Sequence, residues 1–159
     1  MAYQLRAIVA AASAAVQIAE ALSGSVVELP GGLVLIPITD RVPAGAASDP
    51  ALVDTFEYLT VGLQELLLLA STDGPVAYLE AEFFGGLGTQ AAAVWDSAHL
   101  VTGPVRHDNE VEPDVPATLW PFNTALRALG VRATETTDEF DVVGLGRYRC
   151  TEDWAQHGH

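Results

Sequence analysis

The sequence predicts an α+β fold: a single, mainly antiparallel sheet of four to five strands, with two to three helices packed on one face. Two hairpin-like units flank a long apolar helical segment, and no repeated strand–helix–strand rhythm of a parallel sheet is present. The 159 residues, 50% of them hydrophobic, suffice for one domain with an ordinary core. We expect this domain to cover residues 1–150, followed by a mobile tail at residues 151–159.

Residues 2–22 are predicted to form the first helix. Within them, "LRAIVAAASAAVQIAEA" carries apolar residues at near-helical spacing, and Ser23-Gly24 supplies a stop. The same stretch resembles a signal peptide, although Gln17 and Glu20 interrupt its apolar run. Because the run is also too short to span a bilayer, we expect a helix packed on the domain.

The predicted strands come from two hairpins. In "SVVELPGGLVLIPIT", Val26–Leu29 and Leu33–Ile38 flank a Pro-Gly-Gly turn, and "VAYLEAEFF" and "TQAAAVWD" flank a second glycine-rich turn. "AHLVTGPV" is predicted as a short fifth strand. A helix that begins near Ser48 or Asp49 separates the hairpins, because either side chain can accept the first N-cap hydrogen bond. "WPFNTALRALGV" predicts a second, shorter helix after an acidic loop.

The distribution of charge argues against two classes of partner. The chain has 21 acidic and 7 basic residues, a formal net charge of -14, and no lysine. From Val42 to Val105 there is no Lys or Arg, and such a field repels phosphate backbones and anionic lipid. We therefore expect no nucleic-acid and no membrane partner, whereas a basic protein partner, or solubility alone, fits the charge. The alanine-rich, lysine-free composition points to a bacterial source.

Alternation divides the strand "VAYLEAEFF" into two faces. Tyr78, Glu80, Glu82 and Phe84 share one face, which we expect to be open, while the alternate residues enter the core. At a rise of roughly 3.3 Å per residue, Glu80 and Glu82 would lie about 6 to 7 Å apart, a separation also found in glycosidase carboxylate pairs. Three interpretations stay open: solvated glutamates, an acid/base or ligand-binding pair, or an acidic recognition surface with aromatic edges.

The residues after this strand extend the predicted partner surface. The glycines of "GGLG" lack the spacing and the lysine of a phosphate loop, so they predict a tight or bulged turn. Gln90 beyond the turn either caps it or contacts a partner. The segment "DEFDVVGLGRYR" again places acids and an aromatic before glycines, so Asp138, Glu139 and Asp141 either join the acidic surface or cap a chain turn.

No motif in the chain assigns a catalytic residue, a metal site or a cofactor. There is no Gly-x-Ser-x-Gly sequence, and the His-x-His spacing of the last residues is unspecific. Cys150 is the single cysteine, which excludes an intramolecular disulfide and fits a reducing cytoplasm. Whether the protein is an enzyme stays open, with the balance against it.

Three segments carry a family resemblance. "AYLEAEFFGGLGTQAAAVW", "FNTALRALGV" and "DEFDVVGLGRYR" resemble a group of small, mostly uncharacterised bacterial proteins, some of which look like immunity proteins of toxin–immunity systems. The resemblance implies a non-enzymatic binder that neutralises a cognate toxin, and it carries over no functional residue. An acidic inhibitor can occupy the basic surface with which a nuclease toxin holds nucleic acid, and electrostatic steering speeds that association.

Three functional hypotheses follow. The leading one is an acidic, cytoplasmic protein-binding domain, of which an immunity protein against a basic toxin is one form. The second is a small-molecule-binding protein or hydrolase-like enzyme that uses Glu80 and Glu82. The third is an oligomeric structural protein whose apolar first helix packs against a neighbouring copy.

Overall fold

The computed structural model describes residues 2–39 and 55–158, which form one six-stranded sheet covered by helices on both faces. The strands are β1 Ala2–Ala11, β2 Val27–Leu29, β3 Leu33–Pro37, β4 Val76–Phe84, β5 Leu87–Asp96 and β6 His99–Asp108. The α-helices are α1 Ala12–Leu22, α2 Val61–Ala70, α3 Pro121–Ala128, α4 Glu139–Val143 and α5 Thr151–Gln156. The sheet order is β2-β3-β1-β4-β5-β6, and all neighbouring strands are antiparallel.

The α+β class and the antiparallel sheet are confirmed, but the predicted layering is wrong. Four to five strands and two to three helices on one face were expected, whereas the described residues form six strands and five α-helices. Helices α1 and α2 pack on one face, around Ile8 and Tyr78, and helices α3 to α5 pack on the other, around Leu79 and Val94. The middle of the sheet is therefore buried on both sides.

The predicted first helix over residues 2–22 is also wrong in its first half. Residues Ala2–Ala11 form β1, which lies between β3 and β4 in the sheet, and the helix begins only at Ala12. Ala7–Ala10 are completely inaccessible, because both faces of this strand are covered. A strand buried on both faces loses the apolar–polar alternation by which strands are recognised, so its apolar run is easily taken for a helix.

Helix α1 packs on its own sheet. Ala14, Ala15, Ile18 and Leu22 are buried in the core that the helix shares with α2. The apolar face that motivated the oligomer hypothesis is thus covered within the chain, and oligomerisation stays a prediction.

Both predicted hairpins are confirmed. They pair β2 with β3 and β4 with β5, and Leu29 lies opposite Leu33 across the first turn. The predicted helix start at Ser48 or Asp49 lies outside the described residues. Within them, α2 begins after Thr60, whose hydroxyl accepts a hydrogen bond from the Leu63 N–H at 3.2 Å.

The segment predicted as a mobile tail contributes a helix to the second face of the sheet. Thr151–Gln156 form α5, and the indole of Trp154 is completely buried there. The preceding residue, Cys150, forms an isolated bridge with Gln4 of β1. Across residues 2–39 and 55–158, no helix has the length and apolarity needed to cross a membrane.

Candidate functional site

The face of β4 that was predicted to be open is covered at its centre. Tyr78 is completely buried, and its ring packs edge-on against Phe56, with 5.2 Å between the ring centroids. Glu80 is only 8% exposed, whereas Glu82 and Phe84 are exposed at the end of the strand. The expected open row of Tyr78, Glu80, Glu82 and Phe84 is therefore corrected: only its last two members reach solvent.

The carboxylate of Glu80 holds the chain segment that precedes α2. It accepts hydrogen bonds from the backbone N–H groups of Glu57, at 3.0 Å, and Tyr58, at 2.7 Å. Burial raises the pKa of Glu80 above its usual value of 4.5, although these two hydrogen bonds oppose the shift. Burial also raises the pKa of the neighbouring Tyr78 hydroxyl, and the charge of Glu80 raises it further. Glu80 thus supplies hydrogen-bond acceptors for the backbone N–H groups of residues 57 and 58.

The space beside Glu80 and Glu82 is small. The cleft that both residues line encloses about 20 Å³, enough for roughly one water molecule. Arg6 lies opposite Glu80 in the β1–β4 register, and its guanidinium carbon is 4.1 Å from the centroid of the Tyr58 ring. The walls of the cleft are therefore occupied by contacts within the chain, and an organic substrate has no room between the two carboxylates.

A much larger cavity lies on the opposite face of the sheet. It encloses about 450 Å³, and its aromatic lining comes from Tyr3, Phe83, Trp120 and Phe140. Tyr3 and Phe83 are direct neighbours across β1 and β4, so the sheet itself presents the first two rings. Trp120 immediately precedes α3 and stacks on Phe83, with 6.0 Å between centroids and 13° between planes. Phe140 in α4 meets Tyr3 edge-on at 5.8 Å.

The aromatic lining is held in place by hydrogen bonds at its edges. The Tyr3 hydroxyl donates to the Leu145 carbonyl at 2.9 Å, and burial raises the pKa of this hydroxyl. The Trp120 indole N–H donates to the Val115 carbonyl at 3.0 Å. Both rings are therefore fixed in orientation by hydrogen bonds to the backbone.

Asn123 joins the two helices that bound the cavity. Its side-chain nitrogen donates to the Ala117 carbonyl at 2.9 Å and to the Asp138 carboxylate at 3.0 Å, and its oxygen accepts the Phe140 N–H at 2.8 Å. The other carboxylate oxygen of Asp138 accepts the Asp141 N–H at 3.0 Å and so caps α4. Asn123 and Asp138 line the cavity, but their polar atoms are engaged in fixing its walls.

Gln90 differs from Asn123 and Asp138, because only one end of its side-chain amide is hydrogen-bonded among the described residues. This residue of β5 is 7% exposed and lines the cavity, and its side-chain oxygen accepts the Phe122 N–H at 3.0 Å. Within residues 2–39 and 55–158, its amide nitrogen has no hydrogen-bond partner. The nitrogen is not one of the fully buried side-chain atoms that lack a partner, so solvent reaches it. A solvent-accessible polar group on a cavity wall can also contact a ligand.

The glycine turn forms part of the cavity mouth. Gly85 and Gly86 line it, and both adopt positive φ, as the predicted tight turn requires. Asn109, just after β6, accepts the Gly88 N–H at 2.8 Å and donates to the Gly86 carbonyl at 2.9 Å. The turn is thus attached to the loop beyond β6 and does not depend on the hairpin alone.

The remaining residues of the predicted partner surface lie apart. Glu139 is completely buried and paired with Arg127, whose Nη2 lies 3.0 Å from its Oε2. Asp141 is exposed on α4. Of the eight predicted site residues, the structure brings only Gln90 and Asp138 into the cavity, and the continuous acidic surface that the sequence suggested is interrupted at Glu80 and Glu139.

Sequence reasoning missed most of the cavity. Tyr3 was assigned to a helix and Phe83 to the core, while Trp120 and Phe140 were noticed only as members of short segments. One signal was available: the acid that begins "DEFD" three residues before a second acid is typical of a helix N-cap, and it marks the wall at Asp138. Arg149, the one Lys or Arg among the described lining residues, carried no signal.

Comparison of this chain with known protein families, with curated proteins and with solved structures found no match. Within the described residues, no group of three or more His, Cys, Asp or Glu side chains could hold a metal ion. The cavity and the exposed surface around it are therefore the features from which a function can be inferred.

Proposed function

We propose that this protein is a non-catalytic binding domain that takes a planar organic molecule into the aromatic cavity. The cavity of about 450 Å³, lined by four aromatic side chains and one unpartnered amide, carries the proposal. Ligand pockets usually enclose roughly 300–1,000 Å³ and combine apolar walls with a few polar groups that orient the ligand. Both features are present here.

Binding is favoured over catalysis by the state of the acidic groups in the cavity. The proton of the Tyr3 hydroxyl is donated to a backbone carbonyl, and both carboxylate oxygens of Asp138 accept hydrogen bonds. A general acid or base needs a free lone pair or proton within reach of the substrate. Asp138 keeps a free lone pair on each oxygen, but it is the one carboxylate among the described lining residues, and its side chain is held against the wall by these contacts.

A cavity-filling variant tests the proposal. Ala117 lines the cavity and is exposed, so Ala117→Trp should fill the space from the rim and spare the core. Ala128→Trp is the matched control, because Ala128 is exposed on α3 and does not line the cavity. Saturation-transfer NMR with a panel of one-ring and two-ring aromatic fragments should find binders to the wild type and to Ala128→Trp, but not to Ala117→Trp. If no fragment bound the wild type, or if Ala117→Trp bound them equally well, the proposal would be wrong.

The exposed end of β4 favours a second candidate function, that of an acidic protein-binding domain. Phe84 is 75% exposed and Leu87 is 52% exposed at the hairpin tip, next to the exposed carboxylate of Glu82. An exposed aromatic beside an acid fits a partner that presents an apolar pocket in a basic surface. Neutralisation of a basic toxin is one function such a contact would serve.

The second candidate has its own test. A protein captured from the native lysate should be purified, and its affinity for the wild type should fall as salt rises. A variant with Glu82→Lys and Phe84→Ser should lose the partner. Glu28→Lys with Val111→Ser is the matched control, because Glu28 on the edge strand β2 and Val111 are exposed and lie elsewhere in the chain. Equal loss in both double variants, or salt-independent affinity, would contradict this candidate.

A further inference from the structure

The polar groups of the cavity differ in whether they can still contact a ligand. Both amide hydrogens of Asn123 and both carboxylate oxygens of Asp138 are committed to wall contacts. The amide nitrogen of Gln90 lacks a partner among the described residues and can donate. This unpartnered group is a donor, and it favours a ligand that carries a hydrogen-bond acceptor.

Arg149 adds a positive charge to the same cavity. It lines the cavity, is exposed, and its guanidinium has no ion-pair or hydrogen-bond partner within residues 2–39 and 55–158. In contrast, the Arg127 guanidinium is paired with Glu139. In a chain of formal net charge -14, an arginine without a described counter-ion beside an aromatic cavity favours an anionic ligand group.

We propose that the cavity binds a planar aromatic carboxylate, with its ring among the aromatic side chains and its carboxylate on Arg149. The planar guanidinium matches a carboxylate with two parallel hydrogen bonds. A phosphate group fits less well, because its second negative charge would face the Asp138 carboxylate and the acidic field of the chain. This ligand class depends on the proposed binding function of the cavity.

Four naphthalene derivatives test the ligand class by isothermal titration: 2-naphthoate, 2-naphthamide, 2-naphthyl phosphate and 2-(aminomethyl)naphthalene. All four present the same ring, so differences in affinity report the polar contacts. We expect 2-naphthoate to bind about tenfold to a hundredfold more tightly than 2-naphthamide, the usual worth of a charge-assisted contact. We expect 2-naphthyl phosphate to bind more weakly than 2-naphthoate.

Substitutions of Arg149 and Arg132 test whether Arg149 contacts the carboxylate of the ligand. Arg149→Gln should weaken 2-naphthoate by about tenfold or more and leave 2-naphthamide unchanged, because only the carboxylate uses the positive charge. Arg132→Gln is the matched control, since Arg132 is exposed and does not line the cavity. It should leave the affinity of both compounds unchanged.

The possible failures are distinguishable. Equal affinity for 2-naphthoate and 2-naphthamide, tighter binding of the phosphate or the amine, or no effect of Arg149→Gln would overturn the ligand class while the cavity still bound a ring. If none of the four compounds bound and the fragment panel also found no binder, the binding function itself would fall.

Discussion

The side-chain oxygen of Gln90 accepts a hydrogen bond from the backbone N–H of Phe122 at 3.0 Å. Because Gln90 lies in β5 and Phe122 in the first turn of α3, this bond ties the sheet to the helix that bounds the cavity. The N–H groups in the first turn of a helix have no partner within the helix. One side chain in the cavity wall thus satisfies a helix start.

Replacing this residue should destabilise the fold measurably. Gln90→Leu leaves the buried Phe122 N–H without an acceptor, so we expect the free energy of unfolding to fall by about 1–3 kcal/mol. Urea denaturation measures the change. Gln156→Leu, at an exposed position of α5, should cost much less. Similar losses for the two variants would show that the hydrogen bond to Phe122 contributes little.

The buried pair of Arg127 and Glu139 gives a second prediction. Glu139 is completely buried, while the Arg127 side chain is 44% exposed and also donates to the Thr118 carbonyl at 3.0 Å. Arg127→Ala leaves a buried carboxylate without its cation. Because solvent already reaches the arginine, we expect a loss of about 2–3 kcal/mol, at the lower end for a broken buried pair.

A double-mutant cycle separates this pair from general effects. Adding Glu139→Gln to Arg127→Ala should recover part of the lost stability, because the uncompensated charge is removed. Arg132→Ala at an exposed position should change the free energy of unfolding by no more than about 0.5 kcal/mol. Strict additivity of the Arg127 and Glu139 changes would show that the two side chains are not coupled.

The raised pKa of Glu80 predicts a specific dependence of stability on pH. Because burial raises the pKa of the folded state above 4.5, the folded chain holds this proton more tightly than the unfolded chain. The contribution of Glu80 is therefore fully present below pH 4.5 and is lost as pH rises through the pKa of the folded state. The free energy of unfolding of the wild type minus that of Glu80→Gln, measured by denaturation across this range, should decrease as pH rises. A difference that increased with pH would mean that the folded-state pKa is lowered.

The glycine turn predicts unequal costs for two alanine substitutions. A β-carbon on Gly88 would lie 2.0 Å from the Glu82 carbonyl oxygen, so Gly88→Ala requires backbone movement. A β-carbon on Gly85 meets no atom within 4 Å, and there only the φ of +63° opposes substitution. We expect Gly85→Ala to cost about 1–2 kcal/mol and Gly88→Ala more, as judged by thermal denaturation. Equal costs would indicate that the hairpin rearranges around Gly88.

The hairpins were predictable because their signals are local. Strand β4 was predicted at Val76–Phe84 from a run of strand-forming residues, and the turn followed from glycines that must adopt positive φ. The interpretation of its two faces failed for a non-local reason. Alternation separates Tyr78 and Glu80 from Leu79 and Ala81, but it does not show that helices cover both sets.

Strand β1 is the part of the fold that local sequence pattern could not predict. Its apolar residues fit a helix as well as a strand, and only pairing with β3 and β4 on either side makes the strand the better solution. With residues 2–11 assigned to a helix, the cavity could not be predicted, because Tyr3 meets Phe83 only when these residues form a strand beside β4. Trp120, just before α3, and Phe140 in α4 lie more than a hundred residues after Tyr3 in the chain.

Composition and local pattern were sufficient for the net charge, the α+β class, the two hairpins and the glycine turn, since each depends on residues close together in the chain. The cavity, the burial of Glu80 and Glu139, and the positions of Gln90 and Arg149 in the cavity wall depended on tertiary structure. These features result from long-range packing, which decides which polar side chains find hydrogen-bond partners within the chain.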